Sequence, residues 1–130
     1  MKKKIKVVLD TNILVSALWS ANGNEATIVK LIPHAIIPCF SREMFDEYSE
    51  VLNRPKFNFS ANNKKLLLSK IIEYGKLVLP EQSNIHMIDE TDRTFYDTAK
   101  TSGAILITGN MKHYPIEPFI MTAREFLERS

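Results

Sequence analysis

At 130 residues the chain has the usual length of one domain and enough material to bury a core, so residues 1–130 are expected to form a single domain. Its 45% hydrophobic and 25% charged residues exclude a disordered chain. A formal net charge of only +2 excludes capture of a polyanion by a large overall field, so any such contact needs a local basic patch and a metal ion.

No apolar stretch approaches the ~20 residues of a membrane span. The start, Met1-Lys2-Lys3-Lys4-Ile5-Lys6, has the charge of a signal peptide, but Asp10 and Asn12 interrupt the hydrophobic region it would need. Its lysines are read instead as solubilising an edge-exposed first strand. Cys39 is the only cysteine, so no disulfide forms within the chain. It lies in the apolar run 36–40 and reads as a buried, inert thiol. A cytoplasmic location fits this usage.

Ile5 to Leu9 is a β-branched-rich run suited to a buried strand. Asp10-Thr11-Asn12 follows, then an apolar helical stretch from Ile13 to Trp19. A break at Asn22-Gly23-Asn24-Glu25 starts a helix in which Ile28, Leu31 and Ile32 recur until Pro33. Ala35 to Phe40 reads as a second strand, and Ser41 caps a helix that runs to about Asn53 before Pro55. Ser60 to Tyr74 is another helix, with Leu66, Leu67, Ile71 and Ile72 inward, Lys64, Lys65 and Lys70 outward, and Gly75 as its end. Leu77-Val78-Leu79 is a short strand. Asp89 opens a helix carried through Phe95, Tyr96 and Ala99 to Gly103. Ala104 to Thr108 is a strand, Gly109-Asn110 its following turn, and Phe119-Ile120-Met121 a last strand. Thr122 and Glu125 form a capping box for a terminal helix. Strands alternating with helices predict an α/β fold of three layers, with helices on both faces of a mostly parallel sheet.

Ligands of such sheets bind beyond the carboxyl ends of the strands, which directs attention to Asp10 and Asn110. Asp10 has two readings: a cap for the next helix, or a ligand. On the helix after Ser41, Met44, Phe45, Tyr48, Val51 and Leu52 form one stripe. Asp46 and Glu50 point away from it, whereas Glu47 lies only about 40° from Val51. A carboxylate so near the buried boundary needs a partner, either a lysine or a metal ion. Asp92 projects to the apolar side of its own helix, where a first-turn acid favoured by the helix dipole is the alternative. Asp97 projects to the opposite side and reads as a solvated surface residue. Asp10, Glu47 and Asp92 therefore come from three elements and are able to meet at one end of the sheet. Oxygen ligands of this kind suit Mg2+ or Mn2+, and the histidines lack zinc spacing. Bound there, such an ion would acidify a water and offset phosphate charge during phosphodiester hydrolysis.

The order Val7-Val8-Leu9-Asp10-Thr11-Asn12, then Glu47 ahead of Val51-Leu52-Asn53-Arg54-Pro55-Lys56-Phe57, resembles PIN-domain proteins. Asp92 ahead of Phe95 and Ala99, the run 103–109 ending in Thr108-Gly109, and Arg124-Glu125-Phe126-Leu127 extend the likeness to the last helix. The resemblance is closest to toxin components of bacterial toxin–antitoxin pairs, related to virulence-associated protein C toxins. It implies a three-layer α/β/α fold and a metal-dependent ribonuclease using Mg2+ or Mn2+. It assigns Asp10, Glu47 and Asp92 to catalysis and metal binding, with Thr11, Asn12 and Thr108 shaping the pocket. Where the family carries a fourth acid after Thr-Gly this chain has Asn110, a neutral oxygen donor with one charge fewer. Arg54 and Lys56, with Lys64, Lys65 and Lys70, are candidates for a phosphate-contacting edge, the last three reading more simply as solvated charges. His113-Tyr114 is a candidate for substrate contact, with the packing of a loop as the alternative. The implied partners are RNA, a cognate antitoxin protein and a second copy in a homodimer, with no membrane.

Two other readings stand beside the ribonuclease. One keeps the fold as an RNA-binding or interaction module whose Asn110 records a lost metal site. The other is a phosphatase with Asp10 as nucleophile, but the haloacid-dehalogenase pattern requires an acid two positions on, and Asn12 is not one.

Overall fold

A computed structural model describes residues 3–129, so Met1 and Lys2 of the basic start, and the final Ser130, lie outside the described residues. Strand β1 (Ile5–Leu9) sits at the centre of a five-stranded sheet with β2 (Ile36–Phe40), β3 (Lys76–Leu77), β4 (Ile105–Ile107) and β5 (Ile120–Met121). The order is β3-β2-β1-β4-β5, and every pairing is parallel. Val7, Val8 and Leu9 are buried without alternation, as in a parallel strand covered on both faces. The first strand is therefore not edge-exposed. Lys3 and Lys4 are exposed ahead of a strand that has β2 on one side and β4 on the other.

The helices are α1 (Thr11–Trp19), α2 (Asn24–Lys30), α3 (Arg42–Leu52), α4 (Ala61–Tyr74), α5 (Arg93–Ser102) and α6 (Ala123–Glu128). They complete a three-layer α/β/α arrangement in which α5 packs on β1, β2 and β4, α4 packs on β2, and α1 packs on α2 and α3. Their starts follow the expected capping chemistry. The Ser41 hydroxyl accepts from the Met44 N–H, Ser60 caps α4 in the same way, and Thr122 with Glu125 forms the complete capping box of α6. Gly103 ends α5 in the left-handed region at φ 69°, where a side chain is strained.

Gly75 has a different role. A Cβ there would lie 2.2 Å from the Ile71 carbonyl oxygen and 2.6 Å from that of Pro38. Only glycine lets the chain leave α4 and pass this close to β2 before β3 pairs with Cys39 and Phe40.

Three further expectations are corrected. The third strand is Lys76–Leu77, not Leu77-Val78-Leu79: β2 offers β3 only Cys39 and Phe40, and the chain then leaves the sheet with Leu79 exposed. On α4, Leu67 and Ile71 are buried, but Leu66 and Ile72 are 61% and 57% exposed. This helix packs chiefly on β2 and α3, and its fully buried side chains, Leu67 and Ile71, stand at i, i+4 spacing. Asp97 is buried at 4% exposure, not solvated. The segment 80–88 lies across α5, with the Ser83 N–H donating to Asp97 Oδ2 at 3.2 Å and the Glu81 N–H to Thr101 Oγ1 at 2.9 Å. Arg93 fixes the segment by donating to Ser83 O and Ile85 O. A projection of α5 alone cannot register a loop that covers its outer side.

Candidate active site

β1 has β2 on one side and β4 on the other, so the connections from the carboxyl ends of β1 and β4 diverge and leave a crevice between them. Asp10 is the first residue after β1 and Thr108 the first after β4. The Asp10 N–H donates to Ile107 O at 3.0 Å, which continues the ladder one residue beyond the strands. Tyr48, buried on α3, donates its hydroxyl to Leu9 O at 2.5 Å and so fixes the end of β1 from the other side.

Asp10 is buried, and its Oδ2 accepts from Thr108 Oγ1 at 2.7 Å and from the Tyr114 hydroxyl at 3.1 Å. Thr108 Oγ1 in turn accepts from the Asn110 N–H at 2.9 Å, and Asn12 Oδ1 accepts from the Gly109 N–H at 3.1 Å. The turn after β1 and the loop after β4 are thus tied together by four hydrogen bonds.

Glu47 reaches the same place from the second turn of α3, where it receives the Thr11 hydroxyl proton on Oε2. Asp92 ends a 3-10 turn (Glu90–Asp92), one residue ahead of α5, and its Oδ2 lies 3.2 Å from His113 Nδ1. Asn110 Nδ2 is 3.3 Å from the same ring nitrogen. The three acids named from the sequence therefore line one open cleft of about 350 Å³, with Thr11, Asn12, Arg54, Asn110 and His113. Val15, Val51 and Phe57 form its apolar wall.

The remaining expected residues are placed less directly. Arg54 borders the cleft, but its guanidinium pairs with Glu50 at 2.9 Å. Lys56 is not among the lining residues; its ammonium sits 5.2 Å above the Phe57 ring. Thr108 is fully buried and acts through Asp10. Lys64 donates to Asn53 Oδ1, away from the cleft, and Asp97 is not among the cleft residues. Two neighbours were not singled out by sequence: Asp89 and Thr91 line the cleft, Asp89 capping the 3-10 turn. Tyr114, expected beside His113 as an aromatic for substrate contact, is instead buried and donates to Asp10.

The electrostatics are those of crowded, partly dehydrated acids. Burial, then the charges of Asp10 and Asp89, push Asp92 up to about 6, with His113 opposing. Burial raises Asp10 against the bonds from Thr108 and Tyr114. Glu47 is raised by burial against the Thr11 bond, with the charges of Asp10 and Glu50 adding to the rise. Burial and the same carboxylates keep the Tyr114 phenol protonated, so it donates and does not accept. The cleft holds more negative charge than its own cations balance.

A family model described as PIN domain matches residues 6–112. The chain belongs to the PIN-domain family. The matched span of this PIN domain contains Asp10, Glu47, Asp92 and Asn110 and stops short of α6, so the sequence likeness read in the run 124–127 lies beyond it. The chain is also similar to an uncharacterized protein of Methanocaldococcus jannaschii, 32% identical over 113 residues that cover 84% of this chain and 73% of that protein. PIN domains are generally nucleases, typically use divalent metals such as Mg2+ or Mn2+ and commonly bind RNA. Among the described residues of this PIN domain, no helix is long and apolar enough to cross a membrane.

The donors in the cleft are carboxylate, amide and hydroxyl oxygens, the chemistry of a hard divalent cation, and their raised proton affinities mark a place where added positive charge is favourable. The arrangement is a lined cleft and not a preformed ligand set. Among the described residues no three His, Cys, Asp or Glu side chains stand ready to hold one ion. One oxygen of each acid faces a protein partner: Oδ2 of Asp10, Oε2 of Glu47 and Oδ2 of Asp92.

Proposed function

We propose that this PIN domain, taken as the whole chain, is a metal-dependent endoribonuclease. The observation that carries the reading is the convergence of Asp10, Glu47 and Asp92, from three separate elements, on one cleft where each has a raised proton affinity. Asp10, Glu47 and Asp92 would hold Mg2+ or Mn2+, with Asn110 adding a neutral oxygen. Such an ion, when bound, supplies charge neutralisation for a phosphodiester and acidifies an attacking water.

The chain's own residues prepare that step. Thr108 and Tyr114 orient Asp10, and Thr11 orients Glu47. His113 stands beside Asp92 at the cleft mouth, its Nδ1 3.2 Å from Asp92 Oδ2, and so orients that carboxylate. Asn12 holds the loop after β4 closed against α1.

The same reading gives the protein a place as the toxin of a bacterial toxin–antitoxin pair, acting in the cytoplasm and restrained by an antitoxin that fills the cleft. Its support is the likeness of the runs 7–12, 51–57 and 103–109 to that subgroup. A homodimer belongs to the same proposal. The second reading, an RNA-binding module without catalysis, is favoured by Asn110 and by carboxylate oxygens already turned to protein partners.

Incubating the protein with structured and unstructured RNA in Mn2+, with EDTA and Asp10→Asn as controls, decides between them. Cleavage lost in both controls supports the nuclease. Metal-independent binding without cleavage supports the module.

A further inference from the structure

Trp19 is the only tryptophan of the chain and is 66% exposed, yet it is not loose. Its ring stands edge-to-face with Phe57 at 6.1 Å and Phe59 at 5.9 Å, and those two rings are stacked at 5.3 Å with only 8° between their planes. The backbone is shaped for this. Phe57 closes a 3-10 turn begun by Pro55, and Asn58 adopts the left-handed region at φ 50°, which reverses the chain and brings Phe59 onto Phe57. A large indole held in fixed orientation toward solvent is an unusual use of apolar surface, and such surface marks a contact site.

Its position relates it to the cleft. Thr11 and Val15 line the cleft, and Trp19 follows four residues later on the same face of α1. Phe57 belongs to both, lining the cleft and contacting the indole. The rise of an α-helix puts Trp19 about 12 Å from Thr11, well beyond the ~3.4 Å rise of one stacked nucleotide. Lys56, its Nζ 5.2 Å from the centre of the Phe57 ring, adds a cation beside the aromatic cluster.

We propose that Trp19, buttressed by Phe57 and Phe59, is the stacking platform for an unpaired base that flanks the phosphodiester in the cleft. The inference rests on reading the cleft as an RNA phosphodiester site, and it names single-stranded nucleic acid as what the site selects. An exposed indole face accepts any base, whereas a duplex keeps its bases stacked on each other. The continuity of the platform with an acidic, cation-seeking cleft, and the lysine beside it, favour a nucleic acid over a protein partner as occupant.

Because Trp19 is the sole tryptophan, its fluorescence reads the contact directly. Oligouridylate and oligoadenylate, titrated in EDTA so that no cleavage occurs, are expected to quench it saturably, and a duplex of the same length is not. With fluorescein-labelled oligouridylate followed by anisotropy, Trp19→Leu is expected to weaken binding roughly 5- to 150-fold, the equivalent of the ~1–3 kcal/mol that one base–aromatic stack contributes. Trp19→Phe restores most of it, and Phe57→Leu weakens binding while Trp19 remains as the probe. Oligonucleotide binding that leaves the fluorescence unmoved and is equal in Trp19→Leu overturns the platform while leaving the nuclease reading intact. Quenching with no cleavage in Mn2+ does the reverse. A fluorescence shift that depends on protein concentration in the absence of RNA shows a contact between copies of the chain, and it also overturns the platform.

Discussion

The hydroxyl of Thr108 donates to Oδ2 of Asp10 at 2.7 Å, joining the ends of two adjacent strands that are 98 positions apart in the chain. The same hydroxyl accepts from the Asn110 N–H, so one fully buried oxygen both orients the acid and sets the turn that carries Asn110. Thr108→Val keeps the shape and removes both bonds. It is expected to destabilise the protein by about 1–3 kcal/mol, the cost of leaving buried polar groups unpaired. Urea unfolding measures this, and a loss under about 0.5 kcal/mol would show that water replaces the hydroxyl.

Asp92 makes metal-free stability depend on pH in an uncommon direction. Its folded-state value of about 6 lies above the ordinary 3.8, so the folded chain holds this proton more tightly than the unfolded chain. Its contribution is present at low pH and is lost as pH rises from 3.8 through about 6. Solvent screening of a partly exposed group reduces the effect to about 1 kcal/mol, or a few degrees in Tm. Thermal melts of the wild type and Asp92→Asn in EDTA should therefore converge at acid pH and separate toward neutrality, with the variant the more stable. Parallel curves would refute the assignment.

Asn110 leaves the cleft one charge short of the pattern the resemblance implies. Asn110→Asp is expected to tighten Mn2+ binding roughly tenfold, the scale on which changes around a metal site move affinity. Unchanged calorimetric affinity would mean that residue 110 does not face the ion.

Gly75→Ala tests the passage from α4 into β3. The new methyl would meet two backbone carbonyl oxygens, which cannot rotate away as a side chain would. The expected loss is about 1–3 kcal/mol or more, as for other overpacked positions. A melt indistinguishable from the wild type would show that α4 shifts freely against β2.

Much of the fold was legible because periodicity and capping are local. The run 5–9 reads as a buried strand, Ser41 and Thr122 cap the helices they were expected to cap, and Gly103 closes α5. Glu47 was found by its angle to the apolar stripe of α3, and it does border the cleft. What escaped depends on contacts between distant segments. The central place of β1 follows from strand order, which no local pattern encodes. The burial of Asp97 follows from segment 80–88 crossing α5, and the donor role of Tyr114 from a loop that returns to Asp10. The exposure of Leu66 and Ile72 reflects how little of α4 the sheet covers.

The long separation between Asp10 and its donors also orders events during synthesis. Asp10 leaves the ribosome early, while Thr108 and Tyr114 follow 98 and 104 positions later. At about 5–20 residues per second, roughly 5–20 s pass before the carboxylate can meet them. β1 also waits through most of that interval for β4, one of its two neighbours. Until Thr108 and Tyr114 have been made, the nascent chain carries Asp10 without the donors that orient it.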